Sequence, residues 1–221
     1  MLRFGAEIPP WEFAPDIILD AVDLVLRMRT WVGTDGGSPL PLTEMLAAAN
    51  SVWRVGKHPD GRLGLERRVD ATVTMAVGEA VRAAPARAAQ HLQTAWLAAY
   101  GHHADPDKAF NESIRAVEEL ACPLVQPSLA TQNRATLGTV IGELSTNAGH
   151  LWELALPGTN GQPRDVVPVV SMMQALWQAQ VSRHGGAPKS RRQDEDEAKA
   201  VVPLAAVIVH WLTTSVLRRK P

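Results

Sequence analysis

Apolar residues recur at helical spacing along most of the chain. The first such segment runs from Pro15 to Trp31 and predicts an amphipathic helix. Its polar face carries Asp16, Asp20, Asp23 and Arg27, and its apolar face carries Ile18, Val22, Val25 and Met28. Five later segments repeat this pattern: 86–100, the segment that starts at Asp105-Pro106, the short segment after Thr136, 165–182 and 194–217. The pattern therefore predicts an all-α protein.

One short stretch departs from helical spacing. His58-Pro-Asp-Gly61 is a strong turn signal with apolar residues alternating on both sides of it, so a β-hairpin is predicted within residues 51–65. Helical spacing resumes from Glu66 to Ala84, and Pro85 starts the next element. We therefore divide the chain into an N-terminal accessory region, residues 1–84, and a helical bundle of four to five helices, residues 85–221.

The end of the segment 165–182 carries the candidate chemistry. Apolar residues continue up to Arg183 and His184, two glycines follow, and Asp194–Glu197 opens the last helix. A cation and an imidazole then lie at the mouth of a helical hairpin, where both could contact a phosphate. Arg183 could instead pair with the acidic cluster, and His184 could cap the helix. Polar residues near this mouth are further binding candidates: Gln178, Gln180, Arg191 and Arg192.

An ordered set of short motifs resembles one helical family. The set comprises Asp105-Pro-Asp-Lys-Ala109 before Ala116-Val-Glu118, Thr136-Leu-Gly138, Arg183-His-Gly-Gly186 and the acidic start of the last helix. Together these resemble, over residues 85–219, the HEPN-like domain of the abortive-infection protein C-terminal type. The resemblance implies a bundle that dimerises through its last two helices. In active members it implies a metal-independent ribonuclease of phage-defence or toxin systems, without a cofactor.

When this sequence is matched to the family motif residue by residue, the resemblance assigns His184 the role of general acid/base. An arginine that steadies the phosphorane charge is expected four to six positions earlier, but residues 177–180 are Trp, Gln, Ala and Gln. Arg183 is the nearest candidate for that role. Two functions stay open: a ribonuclease with a degenerate site, or a non-catalytic module that binds RNA, a nucleotide or a protein. A third is an assembly subunit that contacts its partner through residues 1–84.

Metal and thiol chemistry are not expected. His102 and His103 precede Asp105 and Asp107, but their place between two helices favours a capped, solvated loop over a metal site. Cys122 follows an apolar run and precedes a proline, which indicates a buried, inert thiol.

Charge and hydropathy bear on partners and location. The net charge of −1 means that any nucleic-acid contact would be local. The start of the chain lacks the apolar run of a signal peptide, so we expect a cytoplasmic protein. Residues 201–217 are strongly apolar but few for a membrane span, and they include Pro203 and His210. Because apolar residues cover nearly the whole circumference of this last helix, we expect a homodimer through the C-terminal helices.

Overall fold

A computed structural model describes residues 15–28, 40–58, 61–146, 150–158, 161–182 and 190–221. Two compact units make up the chain. The first unit contains the described residues up to Arg68 together with Tyr100–His103, and the second contains Val69–Ala99 and Ala104–Pro221. Both are built mostly from helices. The predicted boundary after residue 84 falls between two helices of the second unit, and an independent domain from residue 85 stays a prediction.

The first unit consists of two helices and a β-hairpin: α1 (Pro15–Met28), α2 (Leu40–Ala48), β1 (Trp53–Lys57) and β2 (Leu63–Arg67). The strands are antiparallel, with Val55 opposite Leu65, so the predicted hairpin is confirmed. On its other edge, β2 pairs with the returning segment 100–103. The Leu65 carbonyl accepts a hydrogen bond from the His102 backbone N–H at 3.0 Å.

Helix α1 buries Asp23 against the hairpin. Asp23 is 1% exposed, and one of its oxygens accepts the Leu65 backbone N–H at 2.7 Å. Its other oxygen pairs with Arg27 at 2.7 Å. On the predicted apolar face, Val25 and Met28 are 53% and 74% exposed. The amphipathic pattern therefore predicts the helix correctly but not the side that is buried.

The second unit contains seven helices and three short strands within the described residues. These are α3 (Ala71–Ala83), α4 (Ala86–Tyr100), α5 (Pro106–Val125), α6 (Pro127–Ala130), α7 (Leu137–Ser145), β3 (Trp152–Pro157), β4 (Pro163–Arg164), α8 (Val167–Gln178), α9 (Glu195–Thr213) and β5 (Leu217–Arg219). The last residue of α4, Tyr100, belongs to the first unit.

The core of the second unit forms where α9 packs on α5, α3 and α8. Asp105 caps α5 and Pro106 occupies its first turn, as predicted. Asp194 and Glu197 form a reciprocal capping box at the start of α9. From there α9 runs through the centre of the unit, so Val201, Ile208 and Leu212 are buried. Helix α3, which we predicted as part of the N-terminal region, packs against the same helix.

A second small sheet corrects the all-α prediction. Strand β3 lies between β4 and β5, antiparallel to both. Helix α9 ends at Thr213 rather than Leu217, because the chain turns through Ser215 at φ 57° and returns as β5. There Arg218 pairs with the buried Glu153 at 2.8 Å. No helix in the described part of the chain is long and apolar enough to cross a membrane.

Candidate functional site

The mouth of the α8–α9 hairpin is the predicted site. Helix α8 ends at Gln178, a turn includes Val181 and Ser182, and the described chain resumes at Ser190 before α9. Arg183 and His184, the two predicted catalytic residues, lie outside the described residues. Helix α8 itself contains no charged side chain. Any cation at this mouth must therefore come from another part of the chain.

Gln193 ties the two ends of that connection together. Its side-chain amide donates to the Ala179 carbonyl at 3.0 Å, and its carbonyl oxygen accepts the Val181 backbone N–H at 2.9 Å. Its backbone N–H donates to Asp107 at 3.1 Å, which anchors the turn on α5. Gln193 is 5% exposed, so these bonds are shielded from water. Sequence reasoning missed this residue, because a lone glutamine in a polar stretch gives no signal.

The four predicted binding residues do not converge on one point. Gln180 donates to the Asn111 side chain at 2.6 Å, whereas Gln178 is exposed. Arg191 is engaged with α9 through two hydrogen bonds to the Glu197 carboxylate. Arg192 is also exposed, and within the described ranges it forms no ion pair. Gln178 and Arg192 are therefore the two exposed members that have no side-chain partner among the described residues.

The Arg191–Glu197 pair changes the ionisation of both groups. The hydrogen bond from Arg191 holds the pKa of Glu197 below its ordinary value, and the same bond raises the pKa of Arg191. Each group thus stabilises the charged form of the other. Arg191 keeps its charge, but both of its terminal nitrogens already donate to Glu197, so fewer donors remain for a phosphate.

A second cluster of polar groups lies in the first unit. Nε2 of His102 lies 2.8 Å from Oδ1 of Asp20, and Nε2 of His103 lies 3.8 Å from the same oxygen. His103 Nε2 is also 3.9 Å from Oδ2 of the buried Asp23. Two imidazole nitrogens and one carboxylate oxygen therefore meet within 4.8 Å, a donor set that could hold a metal ion.

This grouping differs from the one considered in the sequence. The carboxylates next to the two histidines are used elsewhere: Asp105 caps α5 and Asp107 accepts the Gln193 backbone N–H. The acid that meets the histidines is Asp20, 82 residues away from His102. Nothing local in the sequence indicates that pairing. A polar residue on one face of α1 was the only available signal.

An apolar groove of about 370 Å³ lies between α3 and α9. Val73, Ala76 and Val77 line one wall, and Val207, His210 and Trp211 line the other. Val207 is 40% exposed, in contrast to its buried neighbours on α9. At the groove, the described part of the bundle leaves one stretch of the last helix open.

Compared with known proteins, the chain matches no family model, no curated protein and no solved structure.

Proposed function

We propose that the chain is a HEPN-like protein of a phage-defence or toxin-type system that binds RNA at the mouth of the α8–α9 hairpin without cleaving it. The observation that carries this proposal is the engagement of Arg191 with Glu197. RNA cleavage needs a cation that is free to steady the charge of the phosphorane. Arg191 is already paired, and α8, which ends where the resemblance expects the catalytic arginine, contains no cation.

Binding makes a smaller demand on the site than cleavage. Phosphate contacts need exposed cations and amides near one another but not the alignment of an acid, a base and a reacting atom. Arg192 and Gln178 are exposed, and Arg183 and His184 come in sequence after the short turn that follows α8. Gln193 bonds to Ala179 and Val181 and so connects the two ends of the segment that contains them. With a net charge of −1 on the whole chain, such binding should be local and sensitive to salt.

Fluorescence anisotropy with a labelled single-stranded RNA tests this proposal. Arg192→Ala and Arg183→Ala should each weaken binding and reduce the salt dependence of log K by about one. Arg191→Ala is the matched control, because it removes the same charge from a side chain that already has a carboxylate partner. It should leave the salt dependence unchanged. Absence of RNA binding at low salt would reject the proposal.

A cleavage assay separates binding from catalysis. The purified protein should leave tRNA and total RNA intact in EDTA, where a metal-independent ribonuclease would still act. Cleavage that His184→Ala abolishes would replace the binding proposal with an active ribonuclease. Cleavage that His184→Ala leaves unchanged would indicate a contaminating nuclease, and the preparation would be repeated before the binding assay is read.

Homodimerisation through the C-terminal helices is part of the same proposal. Since α3, α5 and α8 already cover most of α9, the groove around Val207 is the surface that supports it. Val207→Glu should convert a dimer to a monomer in light scattering at micromolar concentration. Leu124→Glu on α5 is the control, because its side chain is similarly exposed at 41% but lies outside the groove. A wild-type monomer would contradict the dimer. A protein partner for residues 1–84 and a cytoplasmic location stay predictions from the sequence.

A further inference from the structure

We propose that Asp20, His102 and His103 bind a divalent transition-metal ion such as Zn2+. The site lies wholly in the first unit, so it does not depend on RNA binding at the α8–α9 hairpin. Its three ligand atoms are Oδ1 of Asp20 and Nε2 of each histidine, all within 4.8 Å of one another. The imidazole of His and the carboxylate of Asp are both usual ligands of Zn2+ in proteins.

The distances fit an ion with little adjustment. Zn2+ bonds to nitrogen and oxygen are roughly 2.0–2.2 Å long, which places tetrahedral ligand atoms about 3.4 Å from one another. The two separations from Asp20 Oδ1 are 2.8 Å and 3.8 Å, one on either side of that value. The two imidazole nitrogens lie within 4.8 Å of each other, so shifts of about an ångström, mainly in the exposed Asp20 and His103 side chains, would complete the geometry.

A simple ion pair does not account for the whole arrangement. His102 is within hydrogen-bond distance of Oδ1 of Asp20, but a second imidazole places its Nε2 3.8 Å from the same oxygen, too far for a hydrogen bond. The two rings lie 4.7 Å apart between centroids and are tilted by 55°. A metal ion would take one nitrogen from each ring and one oxygen from Asp20, and so would account for the approach of all three side chains.

The backbone holds these ligands together in advance. Leu65 accepts the His102 N–H through its carbonyl and donates its own N–H to Asp23, so α1 and the segment 100–103 meet on the same edge of β2. The ring of Trp53 packs edge-on against the ring of His102, with 5.1 Å between centroids. Asp20 and Asp23 are three residues apart on α1 and therefore share one face of it. The hydrogen bond that holds Asp23 on Leu65 therefore also sets the position of Asp20 on the helix.

Burial and charge leave the site open to an ion. The His102 side chain is 9% exposed and forms the inner wall, whereas those of Asp20 and His103 are 56% and 60% exposed. The buried Asp23 carboxylate is compensated by Arg27 and so is not needed as a ligand. Three protein ligands leave at least one coordination position for water or a small anion. The ion would also connect α1 to the segment 100–103 within a small unit.

Isothermal titration calorimetry with ZnCl2 tests the site on the full chain, prepared without a histidine tag. The wild type should bind one equivalent. Asp20→Asn and His103→Ala should each weaken binding at least about tenfold, because each removes one of three ligands. Both side chains are mostly exposed, so both variants should keep the melting temperature of the metal-free wild type.

Matched variants distinguish this site from other imidazoles and acids. Asp16→Asn removes an exposed acid one turn earlier on α1, and His91→Ala removes a histidine hydrogen-bonded to Glu112 in the second unit. His184→Ala removes the histidine of the α8–α9 connection. All three should bind Zn2+ like the wild type. The proposal is wrong if the wild type binds no Zn2+, or if Asp20→Asn and His103→Ala bind it undiminished.

Discussion

Oδ1 of Asp20 lies 2.8 Å from Nε2 of His102, although 82 residues separate them in sequence. The contact depends on Leu65, whose backbone N–H and C=O bind α1 and the returning segment on one strand edge. A sheet edge would otherwise present unpaired backbone groups to solvent. In this unit, closing the edge also brings together the three side chains of the proposed metal site.

Gly138 allows α7 and α8 to approach each other. A Cβ at this position would lie 2.8 Å from Cζ2 of Trp177, a separation that real Cβ atoms essentially never show. Gly138→Ala should therefore lower the free energy of unfolding by about 1–3 kcal/mol. Gly142, on the same helix, has no such neighbour within 4 Å, so Gly142→Ala should raise it by about 0.5–1 kcal/mol. Urea unfolding measures both, and equal effects of the two changes would contradict the packing argument.

Ser113 presents a buried hydroxyl on α5. It is 0% exposed, and its Oγ has no hydrogen-bond partner in the described part of the structure. Ser113→Ala removes the unsatisfied hydroxyl, and alanine also has a higher helix propensity than serine. The substitution should therefore raise the free energy of unfolding by about 1 kcal/mol. Ser145→Ala, at the exposed end of α7, is the control and should stay within about 0.5 kcal/mol of the wild type. A loss of stability in Ser113→Ala would show that the hydroxyl has a partner.

Cys122 should react slowly with thiol reagents. Burial, with a smaller contribution from Glu118 and Glu119, raises the pKa of its thiol to about 11 from an ordinary 9.0. At pH 8 the folded chain then holds about a hundredfold less thiolate than an exposed cysteine. Reaction with Ellman's reagent should be much slower in buffer than in denaturant, where the pKa returns to its ordinary value. Equal rates in both solutions would contradict the burial.

The Arg191–Glu197 pair predicts a pH dependence of stability. Arg191 lowers the folded-state pKa of Glu197, so the contribution of this carboxylate is present above its ordinary pKa of 4.5 and is lost as the pH falls. Glu197→Gln should therefore differ most from the wild type near neutral pH, and the difference in unfolding free energy should shrink below pH 4.5. Glu44→Gln on α2 is the control, because Glu44 is exposed and forms no ion pair with the residues that the structure describes. A difference that is constant with pH would show that the pair is not formed.

Features set by neighbouring residues were predictable from the sequence. Asp105 and Pro106 start α5 where their side-chain chemistry indicates, and the turn residues after His58 place the hairpin correctly. Caps and turns depend on a few adjacent residues, so a single sequence contains them. The end of α9 was not predictable in this way. Val216 and Leu217 continue the apolar positions of the last segment, but Leu217 pairs with Leu154 of β3 instead of extending the helix.

Features set by distant residues were not predictable. Periodicity identified α1 as a helix, but it did not indicate that Asp23 would be buried as the acceptor for the Leu65 N–H. His102 and His103 stood out in the sequence, yet their carboxylate partner lies on that distant helix. At the α8–α9 mouth, the residue types indicated phosphate chemistry. The engagement of Arg191 and Gln180 by Glu197 and Asn111 became visible only with the fold.

The chain leaves the first unit after Arg68, returns for Tyr100–His103 and leaves again. This discontinuity governs how the protein can be dissected. A fragment ending at Arg68 would lack the backbone that closes β2 and both histidines beside Asp20. A fragment starting at residue 85 would lack α3 and uncover the apolar wall of α9 that α3 packs against. Truncation at a single position should therefore give aggregation-prone fragments, whereas point substitutions in the full chain leave each unit complete.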